Sequence, residues 1–150
     1  MTLREEIVAY ARTLIDTPFH HAARLPGVGV DCAGVLVLAA RRCVLVAQDF
    51  DLPPYTGTPD GKTMLEWCNR YMGARVEKAA MQPGDACVMV TDKFPQHLGV
   101  IGNVRGGGLS LIHASNTANP PRVVESRLTW MPNQRFVAAY SFPGVDLWQA

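Results

Sequence analysis

The apolar positions change period once along the chain. Leu3, Ile7, Tyr10, Ala11 and Leu14 recur at helical spacing. Ahead of them Thr2-Leu3-Arg4-Glu5 is a capping box, in which the Thr hydroxyl and the Glu carboxylate each satisfy a free backbone N–H. Pro18 disfavours a helical residue before it, so this first helix ends by Asp16-Thr17. A polar stretch, Phe19-His20-His21-Ala22-Ala23-Arg24, and a glycine-rich lead-in, Pro26-Gly27-Val28-Gly29, then stop at Asp31. Asp is a preferred N-cap, and the apolar run behind it predicts a buried helix from Cys32 to about Ala47. Asp51 to Gly61 is turn chemistry throughout and reads as a surface loop. A third helix is expected over Lys62 to Met72, with Met64, Cys68 and Tyr71 on one face and Gly73 as its stop. Met64 and Trp67 read as core positions.

From there the pattern is strand-like. A turn at Met81-Gln82-Pro83-Gly84-Asp85 leads to short strands at Ala86–Val90, Leu98–Ile101 and Leu109–His113. Gly106-Gly107-Gly108 closes a hairpin between the last two, and Arg122–Glu125 and Arg135–Tyr140 follow as later strands. Helices first and antiparallel strands after is the α+β pattern, with the N-terminal helices packed on a central antiparallel sheet. Residues 1–150 read as a single domain without internal repeats.

Bulk properties narrow the function classes. The formal net charge is +1, and the basic residues form no stripe, so nothing points to nucleic acid. No apolar run reaches the roughly 18 residues of a membrane helix, so no membrane insertion is expected. Met1-Thr2-Leu3-Arg4-Glu5-Glu6 lacks the basic-then-apolar form of a signal peptide, which predicts synthesis in the cytoplasm. Cys32, Cys43, Cys68 and Cys87 lie far apart without a Cys-x-x-Cys pair, which reads as buried thiols rather than a zinc knuckle or redox motif.

Candidate chemistry centres on Cys32. A helix N-terminus carries about half a positive charge, which favours a thiolate, and its free N–H groups can receive a developing oxyanion. Cys32 is therefore expected to be the most acidic of the four thiols. Pairing Ile101 with Leu109 across the glycine loop sets Gly99 opposite Leu111 and His97 opposite His113, on one face of the sheet. Opposed Cβ atoms lie about 4.5–5.5 Å apart, close enough for one imidazole to take the thiol proton while the other fixes its tautomer. Gly99 is expected to leave open space beside His97. A metal held by Cys32, His97 and His113 is chemically possible, but no second ligand motif accompanies it. No metal or cofactor is expected. The neighbouring His20 and His21 fit exposed loop residues, metal ligands or substrate contacts.

These blocks carry a resemblance. Asp31-Cys32-Ala33-Gly34, His97-Leu98-Gly99-Val100-Ile101 and Leu111-Ile112-His113-Ala114 are similar, in order and spacing, to the signatures of the NlpC-type peptidoglycan peptidases. Pro83-Gly84-Asp85 and Thr17-Pro18-Phe19 resemble two further blocks of that family, and the likeness spans most of the chain. The His20-His21 run, the Pro26–Gly29 lead-in and the ending Phe136 to Gly144 look closest to its phage-tail and prophage branch. The resemblance implies a papain-like α+β fold, with Cys32 as nucleophile, His97 as base and then acid, and His113 orienting His97. It implies cleavage of the amide between D-glutamate and diaminopimelate in the wall's stem peptide. It also implies a virion-tail location with tail-tip proteins as partners, and substrate contacts from Asp31, Phe19, His21 and Arg24. Asp31 can equally be the N-cap alone. Phe19 stands where the family usually has Tyr, so a hydroxyl near the nucleophile is missing. The rival functions are an inactive structural part of a tail tip and a thiol acyltransferase or amidase on the same fold.

Overall fold

The computed structural model describes residues 1–57, 60–91, 94–130 and 134–146. Helix α1 spans Leu3–Thr13 and begins with the expected capping box, in which Glu5 N donates to Thr2 Oγ1 and Thr2 N donates to Glu5 Oε2. Ile7, Val8, Ala11 and the following Leu14 are its buried face. The helix closes earlier than Pro18 alone would demand, because Leu14 and Ile15 turn back onto Ala11 and Arg12 and Asp16 adopts a left-handed φ of 75°.

Two short strands, β1 (Arg24–Leu25) and β2 (Gly29–Val30), form a small antiparallel hairpin where the sequence reads as loop. Two-residue strands are too short to show a period. Helix α2 runs from Cys32 to Arg42, stopping well before Ala47. Val44 takes a left-handed φ of 57°, Val44 N donates to Arg41 O, and Leu45 N donates to Ala40 O. This is a Schellman closure built without glycine, which hid the stop from sequence reading. Helix α3, Thr63–Tyr71, lies within one residue of expectation at each end. Asp60 holds its start by accepting from the backbone N–H groups of Lys62 and Thr63. Gly73 is needed for close approach rather than for a left-handed stop: a Cβ there would lie 2.6 Å from Ser141 Oγ and 2.9 Å from Phe142 O. Thr58 and Pro59 of the turn-rich stretch lie outside the described residues.

The strands β3 (Arg75–Val76), β4 (Ala86–Thr91), β5 (Phe94–Asn103), β6 (Leu109–Ser115), β7 (Arg122–Arg127) and β8 (Gln134–Tyr140) make one antiparallel sheet in the order β3-β8-β4-β5-β6-β7. Side chains alternate between two apolar clusters. Val88, Leu98, Val100, Ile112 and Tyr140 pack with α1 and α2, whereas Cys87, Met89, Ile101, Leu111 and Ala139 form a smaller second cluster. Burying one such aliphatic side chain is worth about 1.5–3 kcal/mol, so the larger cluster fixes how the helices sit on the sheet. Asp85 in the Pro-Gly-Asp turn is fully buried and takes Arg4 Nη1 at 2.6 Å, tying α1 to the start of β4. Gly84 is required there: its φ is 92°, and a Cβ would lie 2.7 Å from that of Arg4.

The β5–β6 register differs from expectation by two residues. Asn103 pairs with Leu109 and Ile101 with Leu111, so the ladder runs closer to the glycines and the turn is tighter than expected. A shift of two preserves parity, so His97 and His113 keep the same face but meet diagonally. The β4–β5 ladder also slips between the Met89–His97 and Val90–Pro95 pairs, leaving one extra β5 residue directly before His97. Bulges of this kind re-aim the neighbouring side chain. No helix among the described residues is long and apolar enough to cross a membrane.

Candidate active site

Asp31 caps α2, its Oδ1 accepting from Gly34 N at 2.8 Å, which puts Cys32 at the first helical position. Thr17-Pro18-Phe19 is stitched between β2 and β7: Val30 N donates to Pro18 O and Val123 N to Thr17 O. That brings Phe19 beside the start of α2. Cys32, His97, Phe19, His21 and Asp31 line one cavity of about 360 Å³. Its remaining walls include Tyr55 from the loop after α2, Met64 and Trp67 from α3, and Thr91 and Asn116 from the sheet side.

His113 stands behind His97 and does not line the cavity. Its Nδ1 is 2.5 Å from His97 Nε2, and the rings meet edge to face with centroids 4.6 Å apart. Burial and the neighbouring His113 push the His97 imidazole down to about 3, and burial pushes His113 down to about 4. Burial, together with the charge of Asp31, pushes the Cys32 thiol up to about 12, against backbone hydrogen bonds from Leu98, Ala33 and Cys32 itself that favour the thiolate. Cys68 and Cys87 are also pushed up to about 12 by burial, so Cys32 does not stand apart as the most acidic thiol. The helix terminus acts in the expected direction, but burial outweighs it. At neutral pH the resting pair is a thiol facing a neutral imidazole.

Several expected contacts change. Gly99 leaves no open space, since a Cβ there would lie 2.5 Å from Leu111 Cδ1. Asp31 is buried and its carboxylate is already occupied. Oδ1 takes Gly34 N and Arg24 Nη1 (2.9 Å), and Oδ2 takes Ala22 N (2.8 Å) and the Tyr55 hydroxyl. Arg24 lies behind Asp31 rather than on the cavity wall, bound also to Asp51 and to the Tyr55 oxygen. His21 does line the cavity, with its Nε2 3.1 Å from Tyr55 O.

Sequence reading missed Tyr55 and misjudged Trp67. Tyr55 sits in a stretch without periodicity, so nothing marked it. Trp67 has the helical spacing of a core residue and packs against the core, yet it also faces the cavity beside Tyr55, with ring centroids 4.8 Å apart.

No protein-family model and no curated protein matches the sequence. Solved structures do match. The NlpC/p60 domain of peptidoglycan hydrolase SagA aligns over 93% of this chain and 98% of its own, with 20% identity and a TM-score of 0.59. The fold is that of the NlpC/p60 domains. NlpC2 from Trichomonas vaginalis aligns over 94% of this chain and 47% of its own (20% identity, TM-score 0.64). An N-acetylmuramoyl-L-alanine amidase from Bacteroides uniformis aligns over 94% and 99% (10% identity, TM-score 0.59). The chain thus has an α+β, papain-like fold.

Proposed function

We propose that this chain is a cysteine peptidase that hydrolyses amide bonds in the stem peptides of bacterial peptidoglycan. The observation that carries the reading is a cavity lined both by Cys32, the first residue of α2, and by His97, whose Nε2 is already held by His113. Because His97 Nε2 meets His113 Nδ1, the tautomer that serves as base carries its proton on Nε2, donates it to His113, and leaves Nδ1 to accept. Cys32 Sγ attacks the substrate carbonyl as its proton passes to His97 Nδ1. Backbone N–H groups at the start of α2 meet the developing oxyanion. His97 then returns the proton to the leaving amine, and water, deprotonated by the same ring, releases the acid and restores the thiol. His113 supports the transient imidazolium.

The bond assigned is D-glutamyl–diaminopimelate, supported by the motif resemblance. The amidase among the structural matches favours a second reading, cleavage of the amide that joins the glycan to the stem peptide. The finer biological reading is a phage-tail or prophage enzyme, made in the cytoplasm and carried with tail-tip proteins to the wall. It is supported by the His20-His21 run and the Pro26–Gly29 lead-in. A diaminopimelate-containing stem peptide, incubated with the protein and weighed by mass spectrometry, tests the bond. Fragments ending at D-glutamate support the first reading, and an intact peptide after incubation contradicts it.

A further inference from the structure

The N-cap that starts α2 creates an electrostatic problem for the residue after it. Asp31 caps the helix with a carboxylate on Gly34 N, and that carboxylate stands one residue before the nucleophile in a buried setting. A carboxylate there opposes thiolate formation. Two residues from different elements close on it: Arg24 of β1 by an ion pair of 2.9 Å, and Tyr55 through its hydroxyl. The Arg24 side chain is only 10% exposed, and its guanidinium also meets Tyr55, with Nη2 donating to the hydroxyl at 2.8 Å and Cζ 5.7 Å from the ring centroid.

We propose that Arg24 is a positioning residue for Cys32: by neutralising the Asp31 carboxylate it holds down the negative potential at the sulfur and so sets the reactivity of the thiol. This rests on the reading of Cys32 as the nucleophile. A buried carboxylate held by Arg24 on Oδ1 and by Tyr55 on Oδ2 is more than an N-cap needs, because an uncharged Asn or Ser caps equally well. The charges balance along the line Asp31–Arg24–Asp51–Arg41, two acids against two bases, so Arg24 does not leave a net positive site for an anion. The other titratable groups around Cys32 are His97 from β5 and Cys68 from α3. His21, Tyr55 and Asp60 stand on the cavity wall. None of these replaces Arg24 at Asp31 except the neutral hydroxyl of Tyr55.

The test is the pH dependence of iodoacetamide labelling at each cysteine, followed by peptide mapping, with Cys43, Cys68 and Cys87 as internal controls. Arg24→Gln leaves Asp31 uncompensated and should move the Cys32 profile up by about one pH unit, about a tenfold loss of labelling rate at fixed pH. Arg24→Lys should restore most of it. Asp31→Asn keeps an N-cap acceptor and should move the profile down. The double variant Arg24→Gln/Asp31→Asn should return close to the natural protein, an outcome that a packing role for Arg24 does not produce. A profile unchanged by Arg24→Gln, or a double variant as slow as Arg24→Gln alone, overturns the proposal. If Arg24→Gln does not fold, Asp31→Asn decides: a profile that stays or rises overturns it. Labelling needs no substrate, so its outcome is separate from whether the protein cleaves peptidoglycan.

Discussion

The buried histidine pair should make the protein acid-sensitive, and one substitution should remove about half of that effect. His97 and His113 are held neutral, at about 3 and about 4, against an ordinary value of 6.5. The unfolded chain therefore binds protons that the folded one refuses. Stability is unaffected by the pair well above 6.5, falls as the pH drops below it, and goes on falling until the folded rings themselves protonate. A pH of about 5 lies about 1.5 units below the ordinary value of each unfolded ring, at about 1.4 kcal/mol per unit, so each buried ring costs about 2 kcal/mol. His113→Gln keeps an acceptor for His97 but removes one of the two rings. Urea unfolding at about pH 7 and about pH 5 gives the acid-induced loss for both proteins, and the carboxylates contribute equally to each. The variant's loss should be smaller by about 2 kcal/mol. Equal losses would show that His113 titrates normally, and burial would not be what keeps its ring neutral in acid.

Two further outcomes follow from the same geometry. His97→Asn and Cys32→Ala should abolish cleavage of the stem peptide, with loss of the base costing on the order of 100-fold or more, while a folded His113→Asn retains measurable activity because an amide can hold the His97 ring N–H. Circular dichroism confirms the fold in each case, and a His113→Asn as inactive as His97→Asn would give His113 a direct part in the chemistry. Gly99→Ala should destabilise by about 1–3 kcal/mol through its clash with Leu111, and adding Leu111→Ala should cost less than the sum of the two. Simple additivity in chemical unfolding would mean the two positions do not touch.

The parts of the fold legible in the sequence are those carried by period and caps. The Thr2–Glu5 box, the Asp31 cap and the short apolar strand from Ala86 onward each rest on local chemistry. The end of α2 was not legible, because a non-glycine residue, Val44, adopts the left-handed turn at tertiary demand. The hairpin register was off by two because loop glycines permit several turn lengths, yet the parity that puts His97 and His113 on one face survived. The bulge before His97 depends on β4 and had no local mark. In the site, Cys32 and the two histidines were visible as residue types at motif spacing. Tyr55 and the true place of Arg24 were not, since both are fixed by a buried carboxylate contributed from elsewhere in the chain.

The central claim is that Cys32 does chemistry on the bacterial wall. The most direct measurement is mass spectrometry of soluble fragments released from purified peptidoglycan by the natural protein and by Cys32→Ala, side by side. Stem-peptide fragments with a newly exposed diaminopimelate amine are expected from the first and none from the second. Release of the same fragments by both proteins, or by neither while both are folded, would contradict it.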